Sequence, residues 1–304
     1  MRNMKKYHIG LDLGGTKFSG MVLNANGETI IFREVPVRKT WTPRQLRAML
    51  DSFVNDLIAR ANIKPRWVKT MGIGIPGIMD EHGNIKKVIN LPALERVKLY
   101  DFLPTTRTSV WNDAVCAAHA ESTMGNLVNA SNGVHLMLGT GVGSATMTRL
   151  NESGIFGQRS VTQISNIEMG HVAANIETAL TGTLSKKPYE LEAYCSRKFF
   201  IRNAKGGVDK LYDAVWRGDK QAKNLFIRYG ANVGVLLANV DTLFRPDTII
   251  IGGGMTAYLP AYREAMEKVF RAQRFLPGKP TPIKLSAFGP EVGALGAALY
   301  GLLK

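Results

Sequence analysis

Several short stretches of the sequence hold residue types that could handle phosphate, magnesium and a proton. Asp12-Leu13-Gly14-Gly15-Thr16-Lys17 closes an apolar run near the N-terminus. Its glycines permit a sharp turn and let backbone N–H groups approach an anion closely. Thr16 adds a hydroxyl, Lys17 joins the candidate set, and the Asp12 carboxylate suits Mg²⁺ or a water of its shell. The plainer alternative is an ordinary strand-ending turn. Gly139-Thr140-Gly141-Val142-Gly143 forms a second such turn and Gly252-Gly253-Gly254 a third. Neither fits G-x-G-x-x-G opening a helix, the dinucleotide fingerprint. No G-x-x-x-x-G-K-[ST] loop occurs either, which disfavours a Walker-type site. What remains is a nucleotide whose phosphates meet two glycine turns, with the third turn toward base or ribose.

Asn112-Asp113 follows the short apolar pair Val110-Trp111 and precedes the Ala-rich run Ala114 to Glu121. A carboxylate there could accept the proton of a hydroxyl as it is phosphorylated. It could equally be a helix cap. Glu168-Met169-Gly170-His171 and Glu192 put two carboxylates and an imidazole in a region rich in Ala, Ile and Leu. Such groups bind vicinal hydroxyls, because each pairs with several donors or acceptors. A surface helix for Glu192 and a core position for His171 are the alternatives.

These residues need strands and helices to hold them. Apolar runs at Tyr7 to Leu13, Val68 to Ile75, Val134 to Leu138 and Thr248 to Ile251 each lead into glycines. Each reads as a buried strand followed by a tight turn. Pro43 to Ala61 carries Leu46, Met49, Leu50, Phe53, Leu57, Ile58 and Ala61 at helical spacing. Thr42 before Pro43 is a helix start. Asp219 to Phe244 reads as a long helical region, with Gly230 or Gly234 as places where it could break. Val292 to Leu303 reads as a terminal helix whose Gly and Ala suit close packing. Strands alternating with helices imply an α/β architecture, and the paired glycine turns suggest two related lobes around a cleft.

The order D-x-G-G-T, G-x-G-x-P-G (Gly72 to Gly77), N-D, G-T-G-x-G, E-x-G-H, L-E-A-Y (Leu191 to Tyr194) and I-x-G-G-G resembles the ROK family of repressors, open reading frames and kinases. That family belongs to the sugar kinase, Hsp70 and actin superfamily. The resemblance runs from Ile9 to the terminal helix and implies a two-lobed actin-like (ribonuclease H-like) ATPase fold with a cleft between lobes. A smaller lobe would take residues 1–117 with 290–304, and a larger one 118–289. The resemblance further implies an ATP- and Mg²⁺-dependent sugar kinase acting at C6 of a hexose, of the glucokinase, fructokinase or N-acetylhexosamine kinase kind. Asp113 would be the general base and Asn112 would bond a neighbouring hydroxyl. Gly77 would bring backbone near the sugar, and Glu168, His171 and Glu192 would hold hydroxyls near its anomeric end. Gly14, Gly15, Thr16, Lys17, Gly139, Thr140 and Gly141 would meet phosphates, with Asp12 near Mg²⁺. Gly253 and Gly254 would border the adenosine.

One departure from the family pattern stands out. Most members place a C-x-C-G-x-x-G-C stretch between E-x-G-H and L-E-A-Y, and its cysteines bind structural zinc with the E-x-G-H histidine. Here that interval, residues 172–190, contains no cysteine, and Tyr189-Glu190 stand where Gly-Cys is usual. The expectation is no structural zinc. The two cysteines, Cys116 and Cys195, are too few for a disulfide framework.

Bulk properties bound the remaining choices. A composition of 45% hydrophobic and 21% charged residues suits a globular chain, and no apolar run is long enough for a membrane span. The net charge of +15 is dispersed over short clusters such as Lys86-Lys87, so a nucleotide is a plainer partner than nucleic acid. No targeting segment is read, which points to the cytoplasm. A homodimer is an expectation by analogy alone. Two other readings are a non-catalytic or regulatory sugar-binding ROK protein and an Hsp70-like ATPase module. The first glycine turn begins at Asp12, leaving no room for a helix-turn-helix before it. An Hsp70-like module would leave Glu168, His171 and Glu192 unexplained.

Overall fold

The computed structural model describes residues 6–79, 85–88, 91–103, 106–154, 157–174 and 190–302. The chain forms two compact units, Met1–Val128 with Ala287–Lys304, and Asn129–Ser286.

In the first unit β1 (Tyr7–Leu13), β2 (Lys17–Asn24), β3 (Thr29–Pro36), β4 (Val68–Ile75) and β7 (Arg107–Asn112) form one sheet, ordered β3-β2-β1-β4-β7. A small hairpin of β5 (Gly77–Met79) and β6 (Ile85–Val88) stands apart from it. β3, β2 and β1 run antiparallel, whereas β1, β4 and β7 are parallel. The central strands β1 and β4 are buried along almost their whole length, which is why they read as continuous apolar runs rather than alternating ones. Helix α1 (Pro43–Arg60) starts at a capping box: Thr42 Oγ1 accepts from Gln45 N at 3.3 Å, and Gln45 Oε1 accepts from Thr42 N at 2.9 Å. It buries Leu46, Leu50, Phe53, Val54, Leu57 and Ile58.

Helices α2 (Asp113–Met124) and α8 (Val292–Leu302) complete this unit. Helix α8 lies directly on the sheet backbone. A Cβ on Gly10 would stand 1.9 Å from Ala294 O, and one on Gly72 would stand 1.8 Å from Ala297 O. Only glycine allows that approach, and it explains the Gly/Ala composition of the helix. The expected division at 117 would cut α2. The helix instead stays whole in the first unit, because it packs on α8 and because buried Glu121 accepts from Asn126 N at 2.7 Å and Ala287 N at 2.8 Å.

The second unit repeats the pattern. β8 (Asn132–Leu138), β9 (Val142–Gly154), β10 (Gly157–Asn166), β11 (Thr248–Gly252) and β12 (Ile283–Leu285) are ordered β10-β9-β8-β11-β12. Again the first three are antiparallel and the last three parallel. One face is covered by α3 (Glu192–Cys195), α4 (Lys198–Asn203), α5 (Gly207–Trp216), α6 (Lys220–Phe244) and α7 (Leu259–Gln273), around a core that includes Phe199, Phe200, Phe226, Tyr229 and Tyr262. Helix α6 runs unbroken through Gly230 and Gly234. These glycines serve packing: a Cβ at Gly230 would meet Tyr262 O at 2.4 Å, so they let α7 lie close against α6.

Candidate functional site

The first hairpin of each sheet carries a glycine turn. Gly14, Gly15 and Thr16 link β1 to β2, and Gly139, Thr140 and Gly141 link β8 to β9. The two turns therefore hold equivalent places in two sheets of the same topology. Only the first is preceded by a carboxylate. Asp12 is partly buried near the end of β1, and among the described residues its carboxylate has no hydrogen-bond partner. It lies against the first turn of α8, where a Cβ on Gly293 would stand 2.5 Å from Asp12 Oδ2. Burial pushes the Asp12 carboxyl up to about 6 from its usual 3.8; Lys17 pulls it back, and Glu34 pushes it further. Such a carboxylate is poised for a cation or its water shell. Lys17 is exposed and forms an ion pair with Glu34 of β3. Thr16 is exposed, and its carbonyl accepts from Val37 N at 2.9 Å.

At the end of β7 the structure settles which residue caps α2. The cap is Asn112, whose Oδ1 accepts from Ala114 N at 2.9 Å and Val115 N at 3.3 Å. Its Nδ2 donates to Gly77 O at 3.2 Å, tying the N-D pair to the G-x-P-G turn. A Cβ on Gly77 would stand 2.7 Å from Lys87 O, so that turn has no room for another residue. Asp113 follows as the first helical residue, half-buried, with Oδ1 accepting from Ala114 N at 2.8 Å. Its carboxylate therefore lies in the first turn of the helix, at the positive end of the helix dipole. A stack of three rings holds the pair in place. Tyr300 of α8 lies between Trp111, 4.2 Å away, and His119, 3.8 Å away, at interplanar angles of 11° and 12°. His119 bonds Gly296 O at 3.2 Å, and burial lowers its pKa to about 4, so it is neutral at physiological pH.

In the second unit the turn of residues 139–141 is built onto the L-E-A-Y segment. Glu192 Oε2 accepts from Val142 N at 3.1 Å, its Oε1 accepts from Lys198 Nζ at 2.5 Å, and a Cβ on Gly141 would meet Glu192 Oε2 at 2.4 Å. Gly170 of E-x-G-H packs beside the Glu192 Cβ. The G-T-G turn and the E-x-G-H and L-E-A-Y motifs therefore meet at one carboxylate. Glu168 Oε1 accepts from Asn166 Nδ2 at 2.8 Å. His171 lies between Glu168, 3.9 Å from its Nε2, and Glu190, 3.0 Å from its Nδ1. All three of these side chains remain about a third or more exposed. The turn at Gly252-Gly253-Gly254 closes on the other side of β8. Gly253 has φ +86°, and a Cβ there would stand 2.5 Å from Leu138 O. It therefore abuts the strand that leads into Gly139, and the two turns of this unit are neighbours.

The sequence reading did not select Arg197 or Lys198. Their signal was faint: two cations immediately after L-E-A-Y-C-S. Zinc of the family kind does not fit the donors present. Cys195 is buried in the core of the second unit, and Cys116 belongs to the first. Burial pushes both thiols well above their ordinary range. His171 faces Glu190 instead of a thiol. Residues 175–189 of the cysteine-free interval lie outside the described residues.

The ROK family model matches residues 8–302. The chain is 28% identical over 318 residues to an N-acetyl-D-glucosamine kinase of Haemophilus influenzae (strain 86-028NP), covering 98% of this chain and 100% of the relative. Among solved structures it is similar to a ROK hexokinase from Thermus thermophilus, with 24% identity, TM-score 0.69 and 98% of both chains covered. It is also similar to a ROK family glucokinase from Streptomyces griseus in complex with glucose and AMPPNP, with 22% identity, TM-score 0.73 and coverage of 97% and 98%. These likenesses establish the actin-like ATPase fold. Among the described residues no helix is long and apolar enough to cross a membrane.

Proposed function

The chain belongs to the ROK family, and on that premise we propose that it transfers the γ-phosphoryl group of ATP to the C6 hydroxyl of a hexose or hexose derivative. Asp113 takes the proton of the attacking hydroxyl. The new bond joins the sugar oxygen to phosphorus, the bond between phosphorus and the bridging oxygen breaks, and ADP leaves. The reaction asks little of a protein beyond positioning, charge stabilisation and a proton acceptor.

The observation that carries this reading is the cap of α2. Asn112 holds the cap position and accepts from Ala114 N and Val115 N, while Asp113 shares the Ala114 amide from one residue inside the helix, so the cap does not depend on the Asp113 carboxylate. We assign Gly14, Gly15, Thr16, Lys17, Gly139, Thr140 and Gly141 to the phosphates, and Gly253 and Gly254 to the adenosine. Asp12 would hold Mg²⁺ through its water shell, and the ion supplies neutralisation of phosphate charge. Gly77, Asn112, Glu168, His171 and Glu192 receive the sugar, Asn112 through its remaining amide N–H and Glu192 while still holding Val142 N. We place the reaction in the cytoplasm, where ATP is abundant.

A coupled ADP-release assay against hexoses and N-acetylhexosamines tests the proposal. N-acetyl-D-glucosamine heads the panel because of the name its Haemophilus relative carries. The expected result is sugar-dependent ADP release with a 6-phosphate product. Tight MgATP binding with no sugar-dependent turnover across the panel would overturn it.

A further inference from the structure

Arg197 joins the two glycine turns of the second unit. Its backbone N–H donates to Gly139 O at 2.8 Å. Its side chain reaches the other way, with Nη2 donating to Tyr258 Oη at 3.4 Å. Tyr258 ends the short 3-10 turn Gly254–Tyr258 that leaves Gly253. The Tyr258 hydroxyl donates to Asp209 Oδ1 at 2.5 Å, and its pKa is raised, first by burial and then by Asp209. The phenol therefore keeps its proton and aims it at Asp209, so an oxygen lone pair faces the guanidinium. Ser196, buried just before Arg197, donates to Glu192 O at 2.6 Å and accepts from Lys198 N at 3.2 Å. The backbone at Arg197 is thus fixed on both sides.

The charge itself is little used. Arg197 is exposed, and among the described residues Tyr258 is the one hydrogen-bond partner of its guanidinium, at the long end of the range for such a bond. A guanidinium carries five donors in a planar fork suited to paired phosphate oxygens. The neighbouring Lys198 is different, since its ammonium is already bonded to Glu192.

We propose that Arg197 is a diphosphate clamp: its fork binds the α- and β-phosphate oxygens of ATP and ADP where they run from residues 139–141 toward residues 252–254. The inference rests on the kinase reading and adds a residue to the nucleotide site. It gives the site a cation that stays on the leaving ADP, so it governs nucleotide affinity and product release rather than sugar choice.

Calorimetric titration of the full chain with MgADP and, separately, with adenosine tests the clamp. Arg197→Gln is expected to weaken MgADP binding about tenfold or more, the loss of a charge-assisted pair, and to leave adenosine binding within about twofold. KM for ATP should rise by a similar factor, while KM for the sugar changes little. Arg197→Lys keeps the charge but loses the fork, so it should fall between the two and serves if Arg197→Gln folds poorly. Tyr258→Phe removes the tether and should give a smaller loss confined to MgADP. MgADP binding within twofold of the parent in both Arg197 variants would overturn the inference and leave the kinase reading standing. Equal losses for adenosine and MgADP would also overturn it, because they mean that the turn has collapsed. A parent chain that binds neither MgADP nor adenosine overturns both readings. Arg197-dependent ADP binding without turnover of any sugar upholds the clamp and counts against the kinase.

Discussion

Replacing Asp12 with Asn should stabilise the ligand-free protein at neutral pH and not at acid pH. The Asp12 carboxylate is partly buried, finds no hydrogen-bond donor among the described residues, and has its pKa pushed up to about 6 from 3.8. A raised pKa means that the folded chain holds this proton more tightly than the unfolded chain. Below about pH 4 both states are protonated and Asp12 contributes no pH-dependent term. As pH rises from about 4 to about 6 the unfolded state releases the proton first, and folding stability falls. Above about 6 the full destabilisation is present. A displacement of that size is worth about 3 kcal/mol for a fully desolvated group, and partial exposure reduces it to about 1–2 kcal/mol. Thermal unfolding of Asp12→Asn beside the parent chain, at pH 7.5 and pH 4, reads the effect. The expected result is a melting temperature higher by a few degrees at pH 7.5 and unchanged at pH 4. Saturating MgATP should erase or reverse the gain, because bound cation and phosphate compensate the parent's charge. Equal gains at both pH values, or a loss at pH 7.5 without nucleotide, would refute the reasoning.

Asn112→Ala removes the acceptor for Ala114 N and Val115 N and the donor to Gly77 O, so a loss of about 1–2 kcal/mol is expected in urea unfolding; Asn112→Asp, which keeps the cap, should lose less. Gly72→Ala places a methyl group 1.8 Å from Ala297 O, so α8 cannot seat, and a loss of about 3 kcal/mol or more, or insoluble expression, is expected.

The glycine turns were legible in the sequence because they sit where apolar runs stop, and the strands β1 and β4 begin and end where those runs do. Helix α1 was legible for the same kind of reason: Thr42, Pro43 and the helical spacing of Leu46 to Ile58 are local signals. What escaped was set by tertiary contact. Gly230 and Gly234 look like breaks in one dimension, yet the carbonyls of α7 are what require them. The choice of Asn112 over Asp113 as cap depends on backbone angles, since either side chain can cap a helix. Glu192 carries no local sign of its bond to Val142 N, which couples the L-E-A-Y segment to the turn of residues 139–141 and spans fifty residues of sequence. Arg197 escaped because neither of its contacts, Gly139 and Tyr258, is near it in the chain.

The central claim is that Asp113 accepts the proton of the hydroxyl being phosphorylated. Steady-state kinetics of Asp113→Asn on the best sugar of the panel, together with calorimetric sugar binding, test it most directly. The account predicts kcat lower by about two orders of magnitude or more, with sugar affinity and melting temperature close to those of the parent. Near-normal turnover in that variant would contradict it.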